Sequence, residues 1–208
     1  MTDFASRHHD SVHGSHFDAL YADKSDPWDY QTSPFEAEKR LKTIEALRGR
    51  TFQAGLELGC SIGVLTADLS LHCEALVGVD GSPIACNLAR DRLSDRPHVQ
   101  ILQARFPEGL ETLVALGPLD LIVLSEVLYF FSYEDMTALV AYVKSSLTAD
   151  GLCIVVNFDG DTQAGFSGIE ANQLFEQLTT AALEPVSFET CTGYQVVTYQ
   201  RPRKPGID

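Results

Sequence analysis

The feature of this sequence that most constrains its fold is a regular alternation of short apolar segments with longer amphipathic ones. AGLEL, EALVGVD, HVQILQA, LDLIVLS and GLCIVVNF have the length and composition of buried strands. Most are followed by a helical pattern, as in VLTADLSL, SPIACNLARDRL, YEDMTALVAYVKSSL and IEANQLFEQLTTAAL. This alternation indicates βαβ units and an α/β fold with a mainly parallel sheet. The final segment, PVSFETCTGYQVVTYQ, is predicted as two strands joined at Thr192 and Gly193, which adds an antiparallel strand near one edge.

A further helix is predicted before the first strand, over SPFEAEKRLKTIEALRG. Ser33 is a suitable N-cap, and Glu36, three residues later, completes the pattern of a capping box. Gly49 is a suitable C-terminal stop. The apolar residues that helical spacing places on one buried face are Leu41, Ile44 and Leu47.

Charge and composition argue against several classes of partner. The chain of 208 residues has a net charge of -14, which repels phosphate backbones, so nucleic acid is not an expected partner. The longest apolar runs carry charges and fall short of the roughly 20 residues of a membrane span, and the first residues lack a secretory signal pattern. The five cysteines include no CxxC pair, which indicates a reduced, cytoplasmic setting. These features predict a cytoplasmic protein without a membrane partner, and leave a monomer and a dimer both open. The length of 208 residues favours a single domain, with two small domains as the alternative.

The turn ELGCSIG after the first predicted strand is the first candidate for a binding site. In open α/β sheets, ligands bind beyond the carboxyl ends of strands. Gly59 can adopt backbone angles closed to other residues, and Gly63 lets the next helix start close by. Asp80 ends the second strand 21 residues after Gly59, where an acid is placed to accept hydrogen bonds from ribose hydroxyls. On the residues alone, a simple tight connection and a helix-capping role for Asp80 remain alternatives.

The spacing of the glycines restricts the type of cofactor. The dinucleotide fingerprint G-x-G-x-x-G is not present, because Ser61 and Val64 stand at the second and third glycine positions. The P-loop pattern is absent as well. Glu57, beside the turn, is unsuited to a phosphate but suited to a cation such as the ammonium group of an amino acid.

The sequence resembles the class I S-adenosylmethionine-dependent methyltransferases. Their first motif, acid-x-G-x-G-x-G, corresponds to Glu57, Gly59, Ser61 and Gly63, with serine replacing the middle glycine, and their second motif corresponds to Asp80. LDLIVLSEVLYFF resembles the segment of their fourth strand. The resemblance implies a Rossmann-like α/β fold: a seven-stranded mixed sheet of order 3-2-1-4-5-7-6, strand 7 antiparallel, with helices on both faces. It also implies S-adenosyl-L-methionine as cofactor and S-adenosyl-L-homocysteine as product.

A narrower resemblance is to the nodulation protein S group of methyltransferases. It is carried by SHFDALYADKSDPWDYQTSPFEAEK together with ELGCSIGVLTADL and IVLSEVLYFF. It implies N-methylation of the amine of an amino sugar or oligosaccharide, with a small-molecule acceptor as the partner. It also implies a lid from residues 1–32, a methyltransferase domain from residues 33–200 and a C-terminal tail from residues 201–208.

The resemblance assigns roles around the cofactor. Glu57 and the turn at Gly59 are expected to hold its methionine end, and Asp80 its ribose. Lys39 is the candidate for its carboxylate, with an ordinary solvated lysine as the alternative. Where relatives carry an acid after the third strand this chain has Arg105, so backbone groups and packing are expected to hold adenine. The predicted cofactor-binding residues are Trp28, Lys39, Glu57, Gly59, Cys60, Ser61, Gly63, Asp80, Gly81, Arg105, Phe106 and Ser125.

Three residues are candidates for catalysis. Glu126 follows a buried strand, where a carboxylate can orient an amine or accept its proton. Tyr129 is expected to line the acceptor site, and His16 to act as a lid contact or a base. The early histidines, which are His8, His9, His13 and His16, lack the partners of a strong ligand pattern, so no metal is predicted.

Three other functions compete with N-methylation. The first is O-methylation of a small-molecule carboxylate or phenol. The second is a non-catalytic Rossmann-like binding domain, which the departures at Ser61 and Arg105 favour. The third is a nicotinamide oxidoreductase, which the missing dinucleotide fingerprint disfavours.

Overall fold

The structure, a computed structural model, describes residues 4–6, 9–12, 14–162 and 164–202. Seven strands form one sheet of order β3-β2-β1-β4-β5-β7-β6. Strands β1 to β5 pair in parallel, and β7 runs antiparallel to both β5 and β6. The predicted Rossmann-like sheet is therefore confirmed. The strands are β1 Phe52–Leu58, β2 Cys73–Asp80, β3 Val99–Gln103, β4 Leu119–Ser125, β5 Leu147–Phe158, β6 Glu184–Cys191 and β7 Tyr194–Gln200.

Seven α-helices connect or cover these strands within the described residues. Two of them, α1 and α5, were not predicted, because the apolar residues of α1 show only weak helical periodicity and α5 is only five residues long. No helix in the described part of the chain combines the length and the apolar character needed to cross a bilayer. The helices are α1 Gly14–Asp23, α2 Pro34–Glu45, α3 Val64–Leu69, α4 Pro83–Arg92, α5 Leu110–Val114, α6 Tyr133–Ser146 and α7 Gly168–Thr179.

The core lies around the central strands β4 and β5. Residues 121–124 and 152–156 are fully or almost fully buried, as expected for strands covered by helices on both faces. The chain order reverses beside β1, which pairs with β2 on one side and β4 on the other. Such a reversal is where open α/β sheets bind ligands, beyond the carboxyl ends of the strands.

Helix α2 buries only part of the apolar face that was predicted for it. Leu41 was expected to face the core, but it is 57% exposed, whereas Leu47 is buried as expected. The inward residues of the helix are instead Glu36, Lys39 and Thr43. Ile44, the third predicted residue, is partly buried against the core, so apolar spacing was right for Ile44 and Leu47 and wrong for Leu41. The buried polar residues lie on the side of the helix that lines the cavity described below.

The ends of α2 were predicted in part. Ser33 caps the helix, its hydroxyl accepting from the Glu36 backbone N–H at 3.4 Å. The Glu36 carboxylate accepts from Lys39 in the described contacts, so the reciprocal half of the capping box is not seen. The helix ends at Glu45, and Gly49 lies in the following turn with φ of 68°.

Candidate functional site

A cavity of about 920 Å³ lies at the carboxyl ends of the first four strands. Its volume is within the range of small-molecule and cofactor sites. A second, much smaller cavity of about 40 Å³ shares Lys39, Gly59, Ser61 and Glu126 with it. The predicted residues that line the larger cavity are Trp28, Lys39, Gly59, Ser61, Asp80, Gly81, Arg105, Phe106, Ser125, Glu126 and Tyr129.

Both glycines of the first turn are required by the backbone, but only one of them faces the cavities. Gly59 has φ of 80°, and a Cβ there would lie 2.1 Å from Cγ1 of Val127. Gly63 has φ of 76°, and a Cβ there would lie 3.1 Å from Cβ of Ala89 on α4. Gly63 lines neither cavity, so the structure gives it a role in packing α3 against α4 rather than a cofactor contact.

Ser61 stands where relatives carry glycine, and its backbone shows why. Its φ is 50°, in the left-handed region that favours glycine. Its buried hydroxyl accepts a hydrogen bond from the Tyr21 hydroxyl at 2.6 Å, which ties α1 to the glycine turn. Compared with glycine, the serine is less suited to this backbone conformation, but its side chain adds a hydrogen bond to the N-terminal segment.

Asp80 lies at the end of β2 and faces the larger cavity. Its two carboxylate oxygens accept from the backbone N–H groups of Ser61 at 2.9 Å and Ser82 at 2.8 Å. The side chain that caps α4 is that of Ser82, which accepts from Ala85 N, so the capping alternative for Asp80 is wrong. Burial raises the pKa of Asp80, and these two hydrogen bonds lower it in part.

Glu57 is a buried carboxyl group beside the glycine turn. It is 2% exposed, and its Oε2 has no hydrogen-bond partner among the described residues. Burial raises its pKa to about 8. It lines the smaller cavity with Lys39 and Cys60. A buried polar atom without a partner is costly in a native protein, so its position at a cavity suits a ligand that donates hydrogen bonds.

Lys39 is held between two carboxylates and is not a solvated surface lysine. It is 5% exposed, and its Nζ lies 2.9 Å from Oε1 of Glu36 and 3.0 Å from Oε1 of Glu126. Oε2 of Glu126 accepts from the Tyr129 hydroxyl at 2.6 Å and from Phe158 N at 3.2 Å. Glu126 has φ of 57°, so the backbone after β4 is strained where this carboxylate is placed.

Arg105 links the end of β3 to helix α1. Its guanidinium donates to Oδ2 of Asp18 at 3.1 Å, and it passes so close to Gly14 that a Cβ there would lie 1.8 Å from its Cζ. Phe106 packs edge-on against Phe131 at a centroid distance of 5.7 Å. Arginine here thus holds the N-terminal helix at the cavity, a function that the sequence did not reveal.

The segment before α1 is hydrogen-bonded to the opposite rim of the cavity. Val12 N donates to Phe130 O at 2.9 Å. The Ser11 hydroxyl donates to Asp135 at 2.5 Å and accepts from Ser132 N at 2.7 Å. The N-terminal residues therefore span the cavity from the glycine turn to the segment after β4.

The remaining predicted residues lie at or outside this cavity. Trp28 is partly exposed at the rim, 5.6 Å from the ring centroids of both Tyr21 and Tyr30. His16 is exposed and lines neither cavity, so its catalytic role stays a prediction without geometric support. His8 and His13 lie outside the described residues. Within the described ranges, no group of three His, Cys, Asp or Glu side chains is arranged to hold a metal ion.

Several cavity residues were missed by sequence reasoning. Phe35 and Glu36 precede Lys39 by four and three residues on α2, so helical spacing from Lys39 would have found them. Tyr21 and Tyr30 carry no local signal, because only tertiary packing brings them to the site. The other cavity residues not predicted include His9, Asp10, Phe17, Val127, Glu134, Asp135 and Asp161.

Solved structures share this fold. The crystal structure of N-methyltransferase NodS from Bradyrhizobium japonicum in complex with S-adenosyl-L-homocysteine matches with a TM-score of 0.78 and 22% identity, covering 91% of this chain and 98% of that one. A putative methyltransferase from Pseudomonas syringae matches with a TM-score of 0.66 and 26% identity, covering 80% of this chain and 99% of that one.

Curated relatives point to one family. Nodulation protein S of Sinorhizobium fredii is 30% identical over 115 residues, which is 55% of this chain and 50% of the relative. Nodulation protein S of Bradyrhizobium diazoefficiens is 30% identical over 127 residues, 60% of this chain and 59% of the relative. The match thus spans about half to three-fifths of these relatives' length. The family model for Nodulation protein S (NodS) matches residues 17–162, and the chain belongs to this family.

Proposed function

We propose that this protein is an S-adenosyl-L-methionine-dependent methyltransferase whose acceptor is the amine of a small polar molecule, an amino sugar or oligosaccharide. The observation that supports the methyltransferase part is the placement of two acids around one glycine turn: Asp80 lines the larger cavity, Glu57 lines the smaller one, and Gly59 lines both. Membership of the NodS family supports the same conclusion.

The residues present fit this cofactor. Each Asp80 oxygen accepts one backbone hydrogen bond and keeps a lone pair for a ribose hydroxyl. The unpartnered Oε2 of Glu57 would accept from the cofactor's ammonium group, and Lys39 would face its carboxylate. Gly81 and Phe106 would border adenine.

When bound, S-adenosyl-L-methionine supplies a methyl group that its sulfonium has already activated. The protein then needs to align the acceptor and exclude water, and positioning of this kind is worth about 7–11 kcal/mol. Tyr21, Trp28 and Tyr30 form an aromatic group that lines the cavity and suits a cation through cation–π attraction. Because the cofactor supplies an activated methyl group and the protein aligns the acceptor, no catalytic triad is required.

The charge of the cavity supports an amine acceptor. Among the described residues, eight carboxylates line it, against one lysine and one arginine. Such a field attracts a cation and repels an anion. A carboxylate acceptor would enter against this field, so O-methylation of carboxylates is the less supported alternative. The lining carboxylates are Asp10, Glu36, Asp80, Glu108, Glu126, Glu134, Asp135 and Asp161.

A methylation screen with labelled cofactor tests this proposal. The acceptors are glucosamine oligomers, other amines, phenols and carboxylic acids, each offered to the full chain at equal concentration. We expect transfer to amines, with glucosamine oligomers the strongest. Turnover confined to phenols or carboxylates would show the amine proposal wrong, and would leave the methyltransferase proposal standing.

We further propose that residues 1–32 act as a lid. The described part of this segment reaches three sides of the cavity, through Tyr21 to Ser61, through Asp18 to Arg105 and through Val12 to the segment after β4. We expect hydrogen exchange of this segment to slow when S-adenosyl-L-homocysteine is added, because closure over a ligand protects its amides. Equal protection with and without the ligand would contradict the lid.

A further inference from the structure

We infer that Glu36, on the inward face of α2, is the carboxylate that takes the proton from the acceptor amine. The inference rests on the proposed function and names the group that performs one step of it. Sequence reasoning placed this role on Glu126, and the geometry of the two carboxylates separates them.

Glu126 is fully engaged by donors. Oε1 accepts from Lys39, and Oε2 accepts from both Tyr129 and the backbone N–H of Phe158. Both oxygens of this carboxylate are therefore already occupied by donors from the protein itself. These contacts, together with the strained backbone at Glu126, suit a residue that fixes the wall of the cavity.

Glu36 keeps one oxygen available. Among the described residues its hydrogen bonds involve Oε1 only, which accepts from Lys39 at 2.9 Å. Oε2 makes no hydrogen bond to a described residue, and it is not fully buried. Because Glu36 lines both cavities, this oxygen is accessible to a ligand. Since Lys39 contacts both carboxylates, Glu36 is held beside Glu126.

The other cavity carboxylates suit this role less well. Glu36 is 8% exposed, whereas Asp10, Glu108, Glu134 and Asp161 are exposed to solvent. Asp135 accepts a hydrogen bond from Ser11 at the rim of the cavity. Asp80 is already placed for ribose.

The charged and titratable groups that face Glu36 determine how readily it accepts a proton. Lys39 and Arg40 lie on its own helix, Glu126 follows β4, and the hydroxyls of Tyr30 and Tyr129 complete the surroundings. Burial raises the pKa of Glu36 and outweighs the opposing effect of Lys39. A raised pKa brings a carboxylate closer to the value that suits a general base near neutral pH.

An acceptor amine that arrives as an ammonium gives one proton to Oε2 of Glu36 and regains its lone pair. That lone pair forms the new carbon–nitrogen bond to the methyl group as the sulfur–carbon bond breaks, and the bond's electron pair stays on sulfur. Glu36 is left protonated and returns the proton to solvent when the product leaves.

The test is the pH dependence of kcat/KM for methylation of a glucosamine oligomer by the full chain, between pH 6 and pH 10. We expect Glu36→Gln to lower kcat/KM roughly 10²–10⁴-fold at pH 7. The deficit should shrink by up to about tenfold per pH unit as more of the amine enters already deprotonated. Glu36→Asp should recover part of the loss at pH 7, because it restores a carboxylate.

Two controls separate this role from a structural one. Glu38→Gln makes the same chemical change on an exposed position of the same helix and should leave the profile unchanged. Calorimetry should show that Glu36→Gln binds S-adenosyl-L-homocysteine within about threefold of the wild type, which verifies the fold and the cofactor site. If Glu36→Gln is poorly folded, Glu36→Asp provides the same test. We then expect its kcat/KM to be lower than that of the wild type, with a pH dependence of the same shape.

The outcomes are distinguishable. A deficit in Glu36→Gln that is equal at every pH, or no deficit, would overturn the inference. A pH-dependent rescue seen in Glu126→Gln instead would return the role to that residue. Wild-type protein that binds S-adenosyl-L-homocysteine but methylates no amine would overturn the proposed acceptor class, and this inference with it.

Discussion

Helices α2 and α6 both cover the sheet, but they bury opposite kinds of side chain. The inward face of α6 is apolar and consists of Met136, Leu139, Val140, Tyr142 and Val143. The buried residues of α2 are Glu36, Lys39 and Thr43, and a leucine of the same helix, Leu41, is exposed. The difference follows from what each helix meets, since α6 packs on the core, whereas α2 packs on it only through partly buried residues such as Phe35 and Ile44 and turns its polar residues to the cavity.

The polar face of α2 is expensive to bury. The free-energy cost of removing a charge from water is offset only when partners compensate the charge, and a lone buried charge strongly destabilises the fold. Lys39 compensates Glu36 and Glu126 together, which leaves one net negative charge in this part of the wall. Under the proposed function, this buried polar face binds the ligands of the cavity.

The largest effect that tests this contrast is expected from Lys39→Met. The substitution leaves two carboxylates facing each other without their cation, which should lower the free energy of unfolding by about 3–5 kcal/mol. Urea denaturation measures it. Lys42→Met is the matched control on the same helix, because Lys42 pairs with Glu45 and Glu189 near the surface and should matter little. Equal loss in the two variants would contradict a special role for Lys39.

A pair of identical substitutions sharpens the comparison of the two helices. Leu139→Ala on α6 removes a buried side chain and should cost about 2–5 kcal/mol of unfolding free energy. Leu41→Ala on α2 removes an exposed one and should change stability by less than about 0.5 kcal/mol. Thermal and urea denaturation of both variants, side by side, make the measurement. A loss of several kcal/mol in Leu41→Ala would show that the leucine is buried and that α2 is rotated.

Glu57 extends the comparison to a buried carboxyl group without a cationic partner. Burial raises its pKa in the folded protein from 4.5 to about 8, so between these values the folded state holds a proton that the unfolded state has released. Stability contributed by this group is therefore present at low pH and is lost as the pH rises through this window. The slope should approach about 1.4 kcal/mol per pH unit, and Glu57→Gln should remove it.

The measurement is urea denaturation of the ligand-free protein at pH 6 and pH 7. Asp80 and Glu36 have pKa values raised in the same direction, so wild type and variant will share part of the dependence. The difference between them isolates Glu57. An equal change in the free energy of unfolding between pH 6 and pH 7 in the two proteins would contradict the raised pKa of Glu57.

The parts of this molecule that the sequence predicted are those that depend on the backbone. The strands follow from their apolar composition, and Gly59 and Asp80 follow from the turn that links a parallel strand to its helix. The order of the strands came from the resemblance to class I methyltransferases rather than from the residues. Gly63 was predicted as a binding residue, although close packing against Ala89 explains it.

The parts that escaped prediction depend on tertiary contacts. Helix α1 is placed by apolar packing of Phe17 and Tyr21 against Ile62 and α4. It is also held by the hydrogen bonds from Tyr21 to Ser61 and from Arg105 to Asp18. Helix α2 buries charged residues beside its apolar ones, and apolar spacing alone did not indicate this second buried side. The sequence therefore predicted Glu36 as a capping residue, whereas in the folded protein its side chain lines the cavities.

We propose that the cavity at the carboxyl ends of β1 and β2 binds S-adenosyl-L-methionine through Asp80. Isothermal titration calorimetry of the wild type and Asp80→Asn with S-adenosyl-L-homocysteine tests it most directly, with NAD as the competing ligand. We expect the wild type to bind S-adenosyl-L-homocysteine and not NAD, and Asp80→Asn to bind it at least tenfold more weakly, about 1.4 kcal/mol. Unchanged affinity in a folded Asp80→Asn variant, or binding of NAD in preference, would contradict the claim.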